Sequence, residues 1–246
     1  MANFDKIADT YDLMVNWPAR LTREMPFFEK IINNNQVKSI LDIGCATGNH
    51  ARAFAQHGVS VIAVDPSEEM LKIATNLTDG SNPTFTFGGL GMALPNGKYD
   101  IITILGNTAT LVESMDKFKE SIKDLHEKLT KNGVLIIQIV NYDKIIKQQI
   151  LSLPAMKQKR NDTEYIFLRE YRMVEKSPEL TVITIKLNND DIKHRIEHTK
   201  HLPLTSEKLA KILRQSGFAK YSFYADYSNN PFNSDESGSL IAVAEK

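Results

Sequence analysis

Asp42, Gly44, Gly48 and Asp65 have types and spacing suited to holding a polar ligand, and the residues around them say how. Ile40, Leu41 and Ile43 are apolar and partly β-branched, so the run before Gly44 reads as a buried parallel strand with Asp42 near its carboxyl end. Gly44 and Gly48 carry no Cβ, which lets the backbone turn sharply and lets a ligand lie against bare peptide groups, with Cys45 and Ala46 between them. Asn49 to Gln56 places Ala51, Phe54 and Ala55 at helical spacing before Gly58 stops it, giving a strand, a glycine loop and a helix whose amino end offers free N–H groups. A second apolar run, Val61-Ile62-Ala63-Val64, closes on Asp65 about twenty residues after Gly44, where a carboxylate can accept from both hydroxyls of a ribose. Together these residues describe a pocket for an adenosyl group.

A nicotinamide dinucleotide pocket uses the same strand order and the same ribose acid, but its G-x-G-x-x-G fingerprint needs glycine where Ala46 stands. The D-x-G-x-x-x-G spacing instead resembles the first motif of the class I S-adenosylmethionine-dependent methyltransferases. Tyr99-Asp100 opening the run Ile101 to Leu105 is similar to that family's fourth strand, and Asn132-Gly133-Val134-Leu135 is similar to its turn into the fifth. The resemblance runs from Phe4 to Asn141 and implies an enzyme with S-adenosyl-L-methionine as cofactor and S-adenosyl-L-homocysteine as product. It implies cofactor contacts at Asp42, Gly44, Cys45, Ala46 and Gly48, at Asp65 with Pro66 and Met70, and at Leu105, Gly106 and Asn107. In many members an acid after the third strand holds the adenine amino group, whereas Gly89-Leu90-Gly91-Met92-Ala93-Leu94 carries no carboxylate. Backbone near Leu90 and Gly91, with apolar packing that includes Met92, is expected to hold the adenine instead.

The elements that position these residues follow from the patterning. From Val37 to Asn141 apolar strands alternate with helical segments, the signature of a parallel sheet covered on both faces. The fold class is α/β: a doubly wound, Rossmann-like, mostly parallel seven-stranded sheet, whose ligands lie outside the carboxyl ends of its strands. After Leu153-Pro154 the texture changes. Glu164 to Arg172, Thr181 to Lys186 and Ile192 to His198 alternate and are β-branched, which predicts three antiparallel strands in a small inserted sheet. Thr205 to Gly217 restores a helix, and Lys220 to Tyr227 and Leu240 to Ala244 close the sheet. The expected domains are an N-terminal helical lid over 1–35, a cofactor-binding core over 36–153 and 203–246, and an acceptor-pocket wall over 154–202. Ile7, Tyr11 and Met14 share one helical face of the lid. In related small-molecule methyltransferases, which act on amino groups of sugars or amino acids, the lid lies across the cofactor. The resemblance thus sets Tyr11 and Trp17 near the sulfonium and Arg20 near the carboxylate of the methionine part.

Thirty basic and thirty acidic residues cancel, so no whole-protein field draws the chain to nucleic acid or to an anionic membrane. The Lys157-Gln158-Lys159-Arg160 cluster reads as a solvated loop. One cysteine, no membrane-length apolar run and an acidic first segment point to a cytoplasmic protein. His194-Arg195-Ile196-Glu197-His198 spells the H-x-x-E-H of some zinc peptidases. Its flanks predict a strand, on which the two histidines stand roughly 13 Å apart at about 3.3 Å per residue, too far for one ion; no metal is expected. The partner is a small-molecule acceptor, N-methylation being favoured over O-methylation because a neutral amine needs no strong base. Asn107, Tyr142 and His201 are candidates for the catalytic or acceptor-facing role, with Tyr171, His198 and Asn141 behind them. A non-catalytic sensor of the same ligand and a nucleotide-dependent oxidoreductase are the competing readings.

Overall fold

Runs rich in β-branched residues form the seven-stranded sheet: β1 (Ser39–Ile43), β2 (Ser60–Asp65), β3 (Thr84–Phe87), β4 (Tyr99–Ile104), β5 (Leu129–Val140), β10 (Lys220–Tyr224) and β11 (Ser239–Glu245). The computed structural model describes residues 4–188, 191–218 and 220–246. Strand order is β10-β11-β5-β4-β1-β2-β3, parallel from β3 to β5 and antiparallel at β11 and β10. The chain winds outward from β1 to β3 and then returns to β4 on the other side of β1, so the strand order reverses between β1 and β4. Loops after these two strands diverge there and leave a crevice.

Helices cover both faces. On one, α2 (Trp17–Asn34) and α3 (Asn49–Ala55) pack Phe27, Phe28, Ile32 and Phe54 against Ile40, Val61 and Ile136. On the other, α5 (Met115–Lys128) and α7 (Ser206–Gln215) pack Phe118, Ile122, Leu209 and Leu213 against Leu41, Ile102 and Ile137. Phe54 and Phe118 are fully buried, each contributing about 1.5–3 kcal/mol by transfer from water. Asp100 ties the amino ends of three strands together, Oδ2 accepting from the N–H groups of Lys38 and Ser39 and Oδ1 from the Thr130 hydroxyl. No helix among the described residues is long and apolar enough to cross a membrane.

The second sheet is a meander of four strands, not three: β6 (Ile150–Arg160), β7 (Thr163–Val174), β8 (Ser177–Asn188) and β9 (Asp191–Lys200). Lys157, Lys159 and Arg160 therefore lie in an edge strand and not in a loop, and a register shift between Leu153 and Met156 accommodates Pro154. The inner face carries Tyr165, Phe167 and Tyr171, all buried. The first two pack on Ile7, Ala8 and Met14 of the N-terminal segment. His194 and His198 lie on β9, as their flanks predict, and both are exposed.

The N-terminal segment is a chain of short turns, Phe4–Ile7, α1 (Ala8–Tyr11) and Asp12–Met14, before α2. Asn16 starts α2 by accepting from the Ala19 N–H at 3.2 Å, and the helix ends within the asparagine run. The helix cap after β2 and the second sheet both hold this segment. Asp5 accepts from the Ser67 hydroxyl at 2.5 Å, Arg160 donates to the Asp9 carbonyl at 2.7 Å, and Arg195 donates to the Lys6 carbonyl and the Thr10 hydroxyl.

Candidate active site

The glycine loop is stapled to the neighbouring strand: the Gly44 and Cys45 N–H groups both donate to the Val64 carbonyl, at 2.8 and 3.0 Å. Gly44 has φ +76°, and a Cβ there would collide with the Thr108 side chain, so both conformation and space demand glycine. Ala46 then turns its N–H onto Asp65 Oδ2 at 2.8 Å, while the Ser67 N–H donates to Oδ1 at 2.9 Å. Each carboxylate oxygen keeps a lone pair for a further donor. Burial pushes the Asp65 carboxyl up to about 6 against the pull of those two N–H bonds.

Two cavities open beyond the strand ends and share Tyr11 and Gly106. The first is lined around the glycine loop by Tyr11, Gly44, Ala46, Asp65, Pro66 and Met70. Leu90, Gly91 and Met92 line it further on, together with Val112 and Glu113. A Cβ built on Gly106 would stand in open space, so its absence leaves a cradle where the cavities meet. The Leu90 N–H finds no protein acceptor among the described residues. A buried acid with free lone pairs, an unused backbone donor and a bare-backbone junction fit a nucleoside extended by a methionine arm.

The second cavity is lined by Arg20, Arg23, Glu24, Asn107, Arg169 and Tyr227, among others. Glu24 is buried and bonds His50 Nε2 at 2.8 Å and Arg20 Nε at 2.9 Å. Burial raises its carboxyl, but these two partners outweigh burial and hold it below the usual range. Arg20 also stacks 5.1 Å over the Trp17 ring. Arg169 comes from the inner face of β7, and its Nε is buried with no partner; a 3.5 Å contact to the Pro154 carbonyl is its only hydrogen bond among the described residues. Asn107 sits at φ 71°, its Oδ1 accepting from the Val140 N–H at 2.6 Å and its Nδ2 donating to the Tyr171 hydroxyl at 3.3 Å.

Other sequence candidates line neither cavity. Asp42 is buried beneath the loop and accepts from the Thr103 hydroxyl at 2.7 Å; burial raises its carboxyl. Cys45 is buried, and burial raises its thiol well above the ordinary value. Gly48 faces Phe85, whose ring lies 2.6 Å from where a Cβ would stand, and Leu105 is core. Tyr142 and His201 are buried behind Asn107: His201 Nδ1 lies 2.7 Å from the Thr110 hydroxyl and 2.9 Å from that of Tyr142. Burial pushes His201 down to about 4, and Thr110 in turn donates to the Asn107 carbonyl at 2.8 Å. This group supports the Asn107 turn from below. Sequence reading missed Arg169, Glu24, His50 and Glu113; the alternation of β7, which turns odd-numbered residues inward with Tyr165 and Phe167, is the signal that could have found Arg169.

Comparison with known proteins agrees with the fold and with methyl transfer. A family model described as a methyltransferase domain matches residues 16–222. A glycine/sarcosine N-methyltransferase from Aphanothece halophytica is 24% identical, over 97% of this chain and 87% of its own. Among solved structures, an S-adenosylmethionine-dependent methyltransferase from Clostridium acetobutylicum superposes with TM-score 0.75 at 18% identity, covering 98% of this chain and 95% of its own. A sugar N-methyltransferase from Streptoalloteichus does so with TM-score 0.76 at 14% identity, covering 96% and 93%. The chain belongs to the methyltransferase-domain family and is an S-adenosylmethionine-dependent methyltransferase of class I.

Proposed function

We propose that this enzyme methylates the nitrogen of a small amino acid, bound in the second cavity with its carboxylate against Arg169. The observation that carries this reading is the buried, partnerless Nε of Arg169 in a cavity that meets the cofactor cavity at Tyr11 and Gly106. A buried guanidinium N–H without an acceptor is costly, and a carboxylate supplies paired acceptors matched to its planar fork. The glycine/sarcosine N-methyltransferase among the relatives supports an amino-acid acceptor, and the sugar N-methyltransferase likeness supports transfer to nitrogen.

The bound cofactor supplies a methyl group on a positively charged sulfur. The chain's residues align and enclose. Asp65 takes the ribose hydroxyls, the loop from Gly44 to Ala46 lies against the sugar and methionine arm, and Leu90, Gly91, Met92, Pro66 and Met70 pack the adenine. Tyr11 closes the junction with an aromatic face that suits a cation, and Arg20, oriented by Glu24, faces the methionine carboxylate. Asn107, held at both ends of its amide, forms a rigid rim where the acceptor nitrogen passes. Positioning supplies the acceleration, and the amine loses its proton to solvent, so no general base is required. In this division of labour residues 1–35 cover the cofactor, the core binds it and the inserted sheet walls the acceptor. The lone buried thiol of Cys45 is consistent with a cytoplasmic setting.

A panel of glycine, sarcosine, glycine methyl ester and an amino sugar, incubated with methyl-labelled cofactor, tests the acceptor. Label is expected in the free amino acids and not in the ester. Label in the amino sugar alone would overturn the acceptor assignment, and cofactor binding without transfer to any amine would point to a sensor.

A further inference from the structure

We infer that Glu113 reads the 6-amino group of the adenine, from the segment after β4, in place of the carboxylate that the turn after β3 lacks. The inference rests on assigning the first cavity to S-adenosylmethionine. The turn from Gly88 to Met92 offers the cavity only backbone and apolar side chains. The segment Leu111-Val112-Glu113, which follows the helical turn Thr108–Thr110, abuts it: a Cβ on Gly91 would meet Val112 Cγ1 at 3.3 Å. On the same turn a Cβ at Gly89 would meet Met92 Sδ at 3.4 Å and Pro66 Cδ at 3.5 Å. The bare turn thus lets the later segment close in, and that segment brings an acid to the cavity mouth.

Two polar groups on this wall are uncommitted. The Leu90 N–H has no acceptor, and the Glu113 carboxylate has no hydrogen bond or ion pair among the described residues. Neighbouring Lys117 is tied to Glu120 at 3.2 Å. One donor and one acceptor lining the same cavity as the apolar side chains of Leu90, Met92 and Val112 suit the edge of adenine, where a ring nitrogen accepts and the 6-amino group donates. Hypoxanthine presents the reverse pattern, a 6-oxo acceptor beside a ring N–H. Glu113 would meet that oxygen with like charge.

Titration calorimetry with S-adenosylhomocysteine and S-inosylhomocysteine, on wild type, Glu113→Gln and Glu113→Ala, tests this. Wild type is expected to prefer the adenine compound roughly tenfold or more, the scale of one hydrogen bond to a charged group. Glu113→Gln, whose amide can donate to the 6-oxo group, should bring that preference close to unity, and Glu113→Ala should reduce it. A preference unchanged in both variants overturns the role of Glu113 while leaving the cofactor assignment intact. Failure of folded wild type to bind either compound overturns the cofactor assignment, and this inference with it.

Discussion

Asp12 Oδ1 accepts from the Thr47 hydroxyl at 2.6 Å across 35 residues of sequence, and the same oxygen accepts from Trp17 Nε1 at 2.7 Å and Asn49 Nδ2 at 3.2 Å. One carboxylate oxygen thus fastens the N-terminal segment, the proposed cover, to the glycine loop. Asp12→Ala leaves three donors without their acceptor and is expected to cost about 1–3 kcal/mol of stability. Trp17 is the chain's only tryptophan, so its emission reports the cover directly. A red shift and weaker binding of S-adenosylhomocysteine are expected; unchanged emission and affinity would deny that Asp12 holds the cover shut.

Asp65 makes binding depend on pH. In the proposed site ribose hydroxyls donate to the ionised carboxylate, so affinity should fall as pH drops through about 6, the value to which burial raises the free group. Binding near pH 6 should release protons, seen calorimetrically as a dependence on buffer ionisation enthalpy. The same shift has a stability sign. A carboxyl raised in the fold from 3.8 to about 6 keeps its proton longer than in the unfolded chain, so its share of stability is full below about 4 and declines as pH rises through about 6. That share is on the order of 3 kcal/mol. Affinity independent of pH between 5 and 8 would remove Asp65 from the ribose.

Gly44 and Gly106 should separate fold from function. Alanine at Gly44 meets both a positive φ and the Thr108 side chain, so a marked loss of thermal stability is expected. Alanine at Gly106 meets only the φ cost, about 1–2 kcal/mol, because its Cβ enters open space where the cavities join. Its expected effect is a drop in kcat/KM of tenfold or more with a modest shift in Tm. Melting curves and steady-state kinetics on the two variants would show the contrast, and full activity in Gly106→Ala would contradict the junction.

Arg169 should act on the acceptor alone. Arg169→Met is expected to raise the acceptor KM by tenfold or more, the scale of a lost charge-assisted hydrogen bond, while leaving the affinity for S-adenosylhomocysteine unchanged. Equal loss of both would mean that the side chain supports the fold or the cofactor and not the acceptor carboxylate.

Much of the first cavity was legible because it is local. Gly44, Ala46 and Asp65 lie in or at the ends of strands whose apolar runs announce them, and the structure brings all three to one cavity. Asp42 and Gly48 carry the same motif, yet they point into the core, where Thr103 and Phe85 take them up. The second cavity was less legible because its residues are joined only by tertiary packing: Glu24 is held by His50 from another helix, and Arg169 comes from a strand on which an arginine reads as solvent-facing. Strand β6 escaped notice because Pro154 and the basic cluster mask its alternation, features that an edge strand tolerates.

Calorimetric titration of the folded protein with S-adenosylhomocysteine, wild type beside Asp65→Ala, is the most direct measurement. Saturable heat from a single site is expected, weakened in the variant by about 1.5–3 kcal/mol, roughly ten- to a hundredfold in Kd. No saturable heat from folded wild type, or an identical Kd in the variant, would contradict the adenosyl pocket built on Gly44 and Asp65.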